Sequence, residues 1–141
     1  MKKTIWIICL TAACILLGLV AYLTLAGKNP NTEQKYSFYY INSEETELKE
    51  EHYTPEEETA EVMLRDFSER LNNRETRDDG ISLFPEGVKI SSYSIKDGVL
   101  RLEFSDAYSK MSRTRELLVR NGVVKLFIQV PGIDYVEIYV G

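Results

Sequence analysis

Residues 4–26, TIWIICLTAACILLGLVAYLTLA, carry no charged side chain. About 20 apolar residues, each rising 1.5 Å, cross the hydrocarbon core of a bilayer, so this run suits a membrane-spanning helix. Lys2 and Lys3 precede it, and basic residues favour the cytoplasmic side. The expected topology is a single-pass signal anchor: residues 1–27 form a cytoplasmic tip and membrane helix, 28–35 a spacer, and 36–141 one extracytoplasmic domain. A chain of 141 residues leaves room for one such domain, with a core that stands without disulfide or metal.

A lipoprotein signal is the rival reading, because LTAAC ends at Cys14 after small residues. Thr11 stands where a lipobox usually has Leu, and a dozen further apolar residues follow Cys14, which favours the uncleaved anchor. Cys9 and Cys14, five residues apart, fall about 140° apart around a helix and share no face. They read as small hydrophobes rather than a redox pair.

Without Lys2 and Lys3, 15 basic residues face 22 acidic ones, a formal charge of −7 beyond the anchor. Phosphate binding needs a patch of the opposite sign, so nucleic acid is excluded as an expected partner.

GKNPNTEQK, residues 27–35, has turn formers and no apolar periodicity. YSFYYI, residues 36–41, reads as a first strand. In NSEETELKEEHYTPEEETAE, Thr54, Pro55 and Glu57 give a predicted helix start, with Glu56 to Glu58 favoured by the helix dipole. Ala60, Met63, Leu64, Phe67 and Leu71 then make one apolar stripe that stops near Asn72 and Asn73.

FPEGVKISSYSI, residues 84–95, opens with a turn and becomes a strand, joined through Asp97-Gly98 to VLRLEFS. Asp-Gly between two such runs predicts a hairpin, since both central residues of the tight turn need positive φ. Leu100, Leu102 and Phe104 point to the core; Val99, Arg101, Glu103 and Ser105 point away. SRTRELLVRNGVVKLFIQVPGIDYVEIYV supports either a helix from about Ser112, with Leu117, Leu118, Val124, Phe127 and Ile128 on adjoining faces, or a hairpin across Pro-Gly. A last strand puts Val136, Ile138 and Val140 on one face, with Tyr135, Glu137 and Tyr139 opposite.

A search for chemistry returns little. His52 is the sole histidine and sits in an acidic stretch read as a solvated loop. No cysteine lies beyond the apolar run, and neither a Ser-x-x-Lys quartet nor a phosphate-cradling glycine loop is present. The Glu-rich run lacks the alternating Asp/Asn and fixed Gly of a calcium loop. Asp106, after the second hairpin strand, has no evident catalytic partner. No catalytic residue, metal site or cofactor is expected. What remains is a surface: on an open sheet with helices on one face, Arg101, Glu103, Tyr135 and Tyr139 lie on the uncovered face, and tyrosine is a favoured contact residue.

FPEGVKISSYSIKDGVLRLEFSDAY and FIQVPGIDYVEIYVG are the most specific parts of a resemblance that runs over residues 36–140. The first is similar to a Pro-x-Gly, strand, Asp-Gly, strand, Ser pattern; the second to a helix end, Pro-Gly and last strand. Together they resemble the GerM domain, a module of extracytoplasmic proteins in spore formers and other bacteria. The resemblance implies a helix before Pro131-Gly132 and the order β-α-β-β-α-β. That is an α+β fold, a four-stranded sheet with two helices on one face, similar to ring-building folds of secretion systems. It also implies a non-enzymatic protein, with some members supporting assembly of a complex between the membranes around a developing spore. Members often carry a lipidated cysteine, and many have two tandem domains where this chain has one.

The resulting expectation is an interaction module anchored through residues 4–26. It contributes to envelope or sporulation-associated assembly, with an envelope protein as partner and self-assembly open to it. The alternative is a peptidoglycan-binding or wall-modifying protein whose acidic and tyrosine side chains face a sugar groove.

Overall fold

A computed structural model describes residues 35–75 and 77–141. In chain order the elements are β1 (Tyr36–Asn42), β2 (Leu48–Tyr53), α1 (Ala60–Asn73), β3 (Gly80–Ile81), β4 (Ile90–Lys96), β5 (Val99–Phe104), a 3-10 turn (Asp106–Lys110), α2 (Arg113–Phe127) and β6 (Tyr135–Val140). The expected membrane helix, and all of the spacer but Lys35, lie outside the described residues. Among the described residues no helix is long and apolar enough to cross a membrane.

The expected single four-stranded sheet is overturned. Among the described residues six strands form two three-stranded sheets, β2-β1-β3 and β4-β5-β6. The difference begins with LKEEHY, which is strand β2 and not part of an acidic loop. It pairs antiparallel with β1 from Tyr36 opposite Tyr53 to Ile41 opposite Leu48. On the other side of β1, Ile41 and Asn42 pair with β3. Further along that strand, the side-chain amide of Gln129 binds both backbone groups of Ser37. With its neighbours supplied in this way, β1 joins no other sheet among the described residues.

The first helix also begins later than Thr54 and Pro55 suggest. Thr59 is the N-cap, its hydroxyl accepting from Val62 N–H at 3.4 Å, and residues 54–59 form an extended and bent connection. Tyr53 is committed to the β1 ladder, so the chain needs several residues to leave the sheet before it can turn into α1. The predicted stripe holds: Met63, Leu64, Phe67 and Leu71 are buried. Phe67 is the hub, its ring centroid 6.1 Å from Phe38, 4.8 Å from Tyr53 and 5.9 Å from Phe127. Each such fully buried side chain contributes about 1.5–3 kcal/mol relative to exposure.

The open choice over the C-terminal third resolves as a helix, α2, capped by Ser112, whose hydroxyl accepts from Arg115 N–H at 3.2 Å. Its buried side is Val119, Gly122, Val123, Leu126 and Phe127, while Leu117 and Ile128 are exposed. Gly122, a poor helix former, is needed for approach: a Cβ there would stand 2.6 Å from Leu83 Cδ1. Arg115, near the start of α2, ties down the loops around it. Its Nη1 donates to Glu45 Oε1 at 2.6 Å and its Nη2 to the Ser82 carbonyl at 2.8 Å.

The second sheet keeps the predicted hairpin. Asp97 and Gly98 take φ of 52° and 78°, as a tight turn of that type demands. Leu100, Leu102 and Phe104 are buried, and the Phe104 ring packs edge-on or tilted against Phe84 and Tyr108. Strand β6 returns parallel to β5 by way of α2. The turn before β6 is held to the hairpin by Asp134 N–H, which donates to the Gly98 carbonyl at 2.7 Å.

Candidate interaction face

Because side chains alternate along a strand, the face of β4-β5-β6 away from the core is set by three registers. Antiparallel β4 and parallel β6 flank β5 in cross-strand rows: Lys96, Val99, Tyr135; Ser94, Arg101, Glu137; and Ser92, Glu103, Tyr139. Arg101 is the middle residue of the middle row. All four sequence-predicted residues, Arg101, Glu103, Tyr135 and Tyr139, therefore share one face. Tyr135 sits two rows from Tyr139, at the hairpin end.

The rows are bonded to one another. Arg101 Nε and Nη2 lie 3.2 and 3.1 Å from Glu137 Oε2, and its guanidinium carbon stands 4.9 Å from the centroid of the Tyr139 ring. Tyr139 in turn donates its hydroxyl to the same Glu137 oxygen at 3.1 Å. Ser92 donates to Glu103 Oε2 at 2.8 Å. A shallow groove of about 290 Å³ runs over Ser92, Tyr93, Ser94, Arg101, Glu103 and Tyr139. Within the three rows two cations, Lys96 and Arg101, balance two carboxylates, Glu103 and Glu137. The acidic excess of the chain therefore lies elsewhere.

Glu137 is the participant that the sequence did not single out. Its own strand showed it beside Tyr135 and Tyr139, but its hold on Arg101 depends on the parallel β5–β6 register, which links residues 36 apart. Ser92 and Ser94, opposite Glu103 and Arg101 across the hairpin, were missed as short polar side chains on an edge strand.

The other residues weighed for chemistry are scattered. His52 is exposed on β2, its Nε2 3.0 Å from Thr54 Oγ1. Asp106 is exposed in the first turn of the 3-10 segment, where its carbonyl accepts from the Ser109 hydroxyl at 2.7 Å. Among the described residues no three His, Cys, Asp or Glu side chains stand where they would hold a metal ion. A face built of tyrosine, arginine and balanced charge, and shallow throughout, is suited to binding another macromolecular surface.

A family model described as Germane, sporulation and spore germination, matches residues 37–141. The chain belongs to the Germane family. The GerM resemblance drawn from the two motif stretches is thereby borne out. Among solved structures, the chain is similar to the tandem GerMN domains of the sporulation protein GerM from Bacillus subtilis. That match has 23% identity and a TM-score of 0.47, and covers 75% of this chain and 38% of that one. It is also similar to a Clostridium perfringens protein provisionally described as a lipoprotein, at 17% identity and a TM-score of 0.44, covering 74% of this chain and 72% of that one. The chain thus spans little more than a third of the tandem structure. No curated protein matches it.

Proposed function

We propose that this Germane-family chain is a membrane-anchored, extracytoplasmic protein-interaction module serving envelope or spore-associated complex assembly. It docks an envelope protein on the outer face of β4-β5-β6. The observation that carries this reading is the preset state of Arg101. Held by Glu137 and stacked on Tyr139, it offers a charge and an aromatic platform whose side-chain freedom is already restricted. The family description supports the sporulation and germination setting, and the apolar run at 4–26 with Lys2 and Lys3 before it supports the anchor and its orientation. The sugar-groove alternative fares less well, because Arg101 covers a face of the Tyr139 ring on which a sugar would stack.

Affinity capture with the chain should recover an envelope protein, and Tyr135→Ala or Tyr139→Ala should weaken that capture about tenfold or more while leaving the circular dichroism spectrum unchanged. Recovery of wall fragments alone would overturn the reading. For orientation, Ser43 is exposed in the β1–β2 turn. In intact cells Ser43→Cys should react with a membrane-impermeant thiol reagent, and protection there would reverse the assigned topology.

A further inference from the structure

Among the described residues strand β6 is bonded on one side, to β5. Tyr135 N–H donates to the Gly98 carbonyl and Gly141 N–H to the Phe104 carbonyl, both at 3.2 Å. Alternation along the parallel ladder puts Glu137 and Tyr139 in that same set. The N–H and C=O groups of Val136, Ile138 and Val140 therefore point to the opposite edge, where no described strand pairs. Exposed edges of this kind are normally blunted. Strand β2 is, by Lys49, Glu50, Glu51 and His52; β3 has two residues; β4 carries a bulge between Ile90 and Ser92. Strand β6 has no such device. It runs six residues with Glu137 as its sole charge, already paired with Arg101, and it exposes Tyr135, Tyr139 and Val140.

We propose that the chain self-associates through this edge, two copies pairing β6 antiparallel about a two-fold axis at Ile138 so that their sheets join into one of six strands. The occupant follows from complementarity. With Ile138 opposite itself, Val136 meets Val140 on the apolar face. On the outer face Glu137 meets the second copy's Tyr139, whose hydroxyl would exchange its bond to its own Glu137 for one to the second copy's carboxylate. A shift of two residues sets Glu137 against Glu137 or Tyr139 against Tyr139, and like charges directly opposite destabilise. A shift of one residue turns the tyrosines toward the apolar side. Charge also permits the approach: nine of the 22 acidic residues fall within 44–61, on the hairpin of the other sheet, the connection to α1 and the first turn of α1. A six-residue edge makes a small contact, so the dimer is weak and concentration-dependent. This pairing shares Glu137 and Tyr139 with the outer face but does not rest on the partner proposed for it above.

The test is the mass of the full-length chain in detergent micelles over a concentration series, by sedimentation. Protein mass should rise from one chain toward two. Ile138→Pro removes an outward N–H while sparing the bonds from Glu137 and Tyr139 to β5, and should hold the mass at one chain. If Ile138→Pro does not fold, Val140→Lys, at an exposed edge position, decides in its place. In a Cys9→Ser, Cys14→Ser background, mixed Glu137→Cys and Tyr139→Cys chains should form a disulfide faster than either variant alone, which reports the register. Three results would overturn the proposal: one-chain mass throughout, doubling that neither variant reduces, or an edge that takes up an extended peptide of other sequence and never pairs with itself.

Discussion

The side-chain amide of Gln129 binds both backbone groups of Ser37, a residue 92 positions away: Oε1 accepts from the Ser37 N–H at 2.8 Å and Nε2 donates to the Ser37 carbonyl at 3.0 Å. Asn72 does the same for Ile90, accepting from its N–H at 2.9 Å and donating to its carbonyl at 3.1 Å. Each amide stands at the C-terminal end of a helix and acts there as a one-residue strand, α1 on the second sheet and α2 on the first. The helices are thus fastened to the sheets by directional bonds as well as by apolar packing.

Gln129→Ala should therefore cost about 1–2 kcal/mol in chemical denaturation, the usual effect of removing partners from part-buried backbone groups. Gln129→Glu is the sharper variant. A carboxylate still accepts from the Ser37 N–H but turns a lone pair toward the Ser37 carbonyl, so at neutral pH it should destabilise at least as much as Ala. Its deficit should shrink as the pH falls from neutral toward about 4, and be smallest below that, where the side chain carries a proton to donate in both states.

Gly122→Ala tests the approach of α2 to Leu83. An alanine in a helix interior ordinarily gains about 1 kcal/mol over glycine. Here its Cβ would lie 2.6 and 2.8 Å from the two methyl carbons of Leu83, and Leu83 is itself buried. The expected outcome is a net loss of about 1–3 kcal/mol, the ordinary cost of overpacking. Thermal unfolding of the double variant Gly122→Ala, Leu83→Val should show a smaller loss than the two single losses added. Simple additivity would show that the contact relaxes without cost.

Tyr53 predicts an alkaline limit to stability. Burial first, and then the hydrogen bond it donates to Asp66 Oδ2 at 2.5 Å, raise its phenol well above the ordinary range. Burial likewise heads the causes that raise Tyr39, and a hydrogen bond to Asp79 heads those that raise Tyr40. A raised folded-state value means that the neutral form is favoured by folding. The contribution is complete below about pH 10, where the unfolded phenol titrates, and is lost as pH rises beyond it. Denaturation midpoints should fall above about pH 10, and the gap between wild type and Tyr53→Phe should narrow over the same interval. A constant gap through the alkaline limb would exclude Tyr53 as a source.

The legible parts of this fold are those with a local signal. The stripe from Met63 to Leu71 and the Asp97-Gly98 turn each declare themselves within a dozen residues, and the GerM resemblance rests on motifs of that kind. Strand β2 does not: LKEEHY is charged on both faces because it is an edge, and a strand without alternation looks like a loop. The two-sheet arrangement was hidden for the same reason, since it depends on β2 and on the bonds of Gln129 and Asn72 across the sequence. Thr54-Pro55-Glu56-Glu57 satisfies a helix-start pattern, yet the pairing of Tyr53 with Tyr36 delays the helix to Ala60. The four predicted face residues came together because the alternation of β5 and β6 was each read correctly. Their link through Glu137 needed the parallel register.

Arg101 allows the candidate face to be examined without knowing its partner. Its pairing with Glu137 is more than half exposed on the arginine side, so solvent screens it and the pair contributes no more than about 1 kcal/mol. Its stacking on Tyr139, also at the surface, adds about 0.5–1 kcal/mol. Arg101→Ala should therefore unfold cooperatively at slightly lower denaturant, with loss of the face and retention of the fold. Tyr139→Phe removes the hydroxyl bond to Glu137 and keeps the ring, so it should cost less than Tyr139→Ala. A double-mutant cycle over Arg101→Ala and Tyr139→Ala should return a coupling of about 0.5–1 kcal/mol, because each single variant already destroys the stack. The coupling should persist in 1 M salt to the extent that it comes from ring contact rather than from charge. Zero coupling at low salt would mean that Arg101 is not held in place before a partner arrives, which removes the observation on which the interaction reading rests.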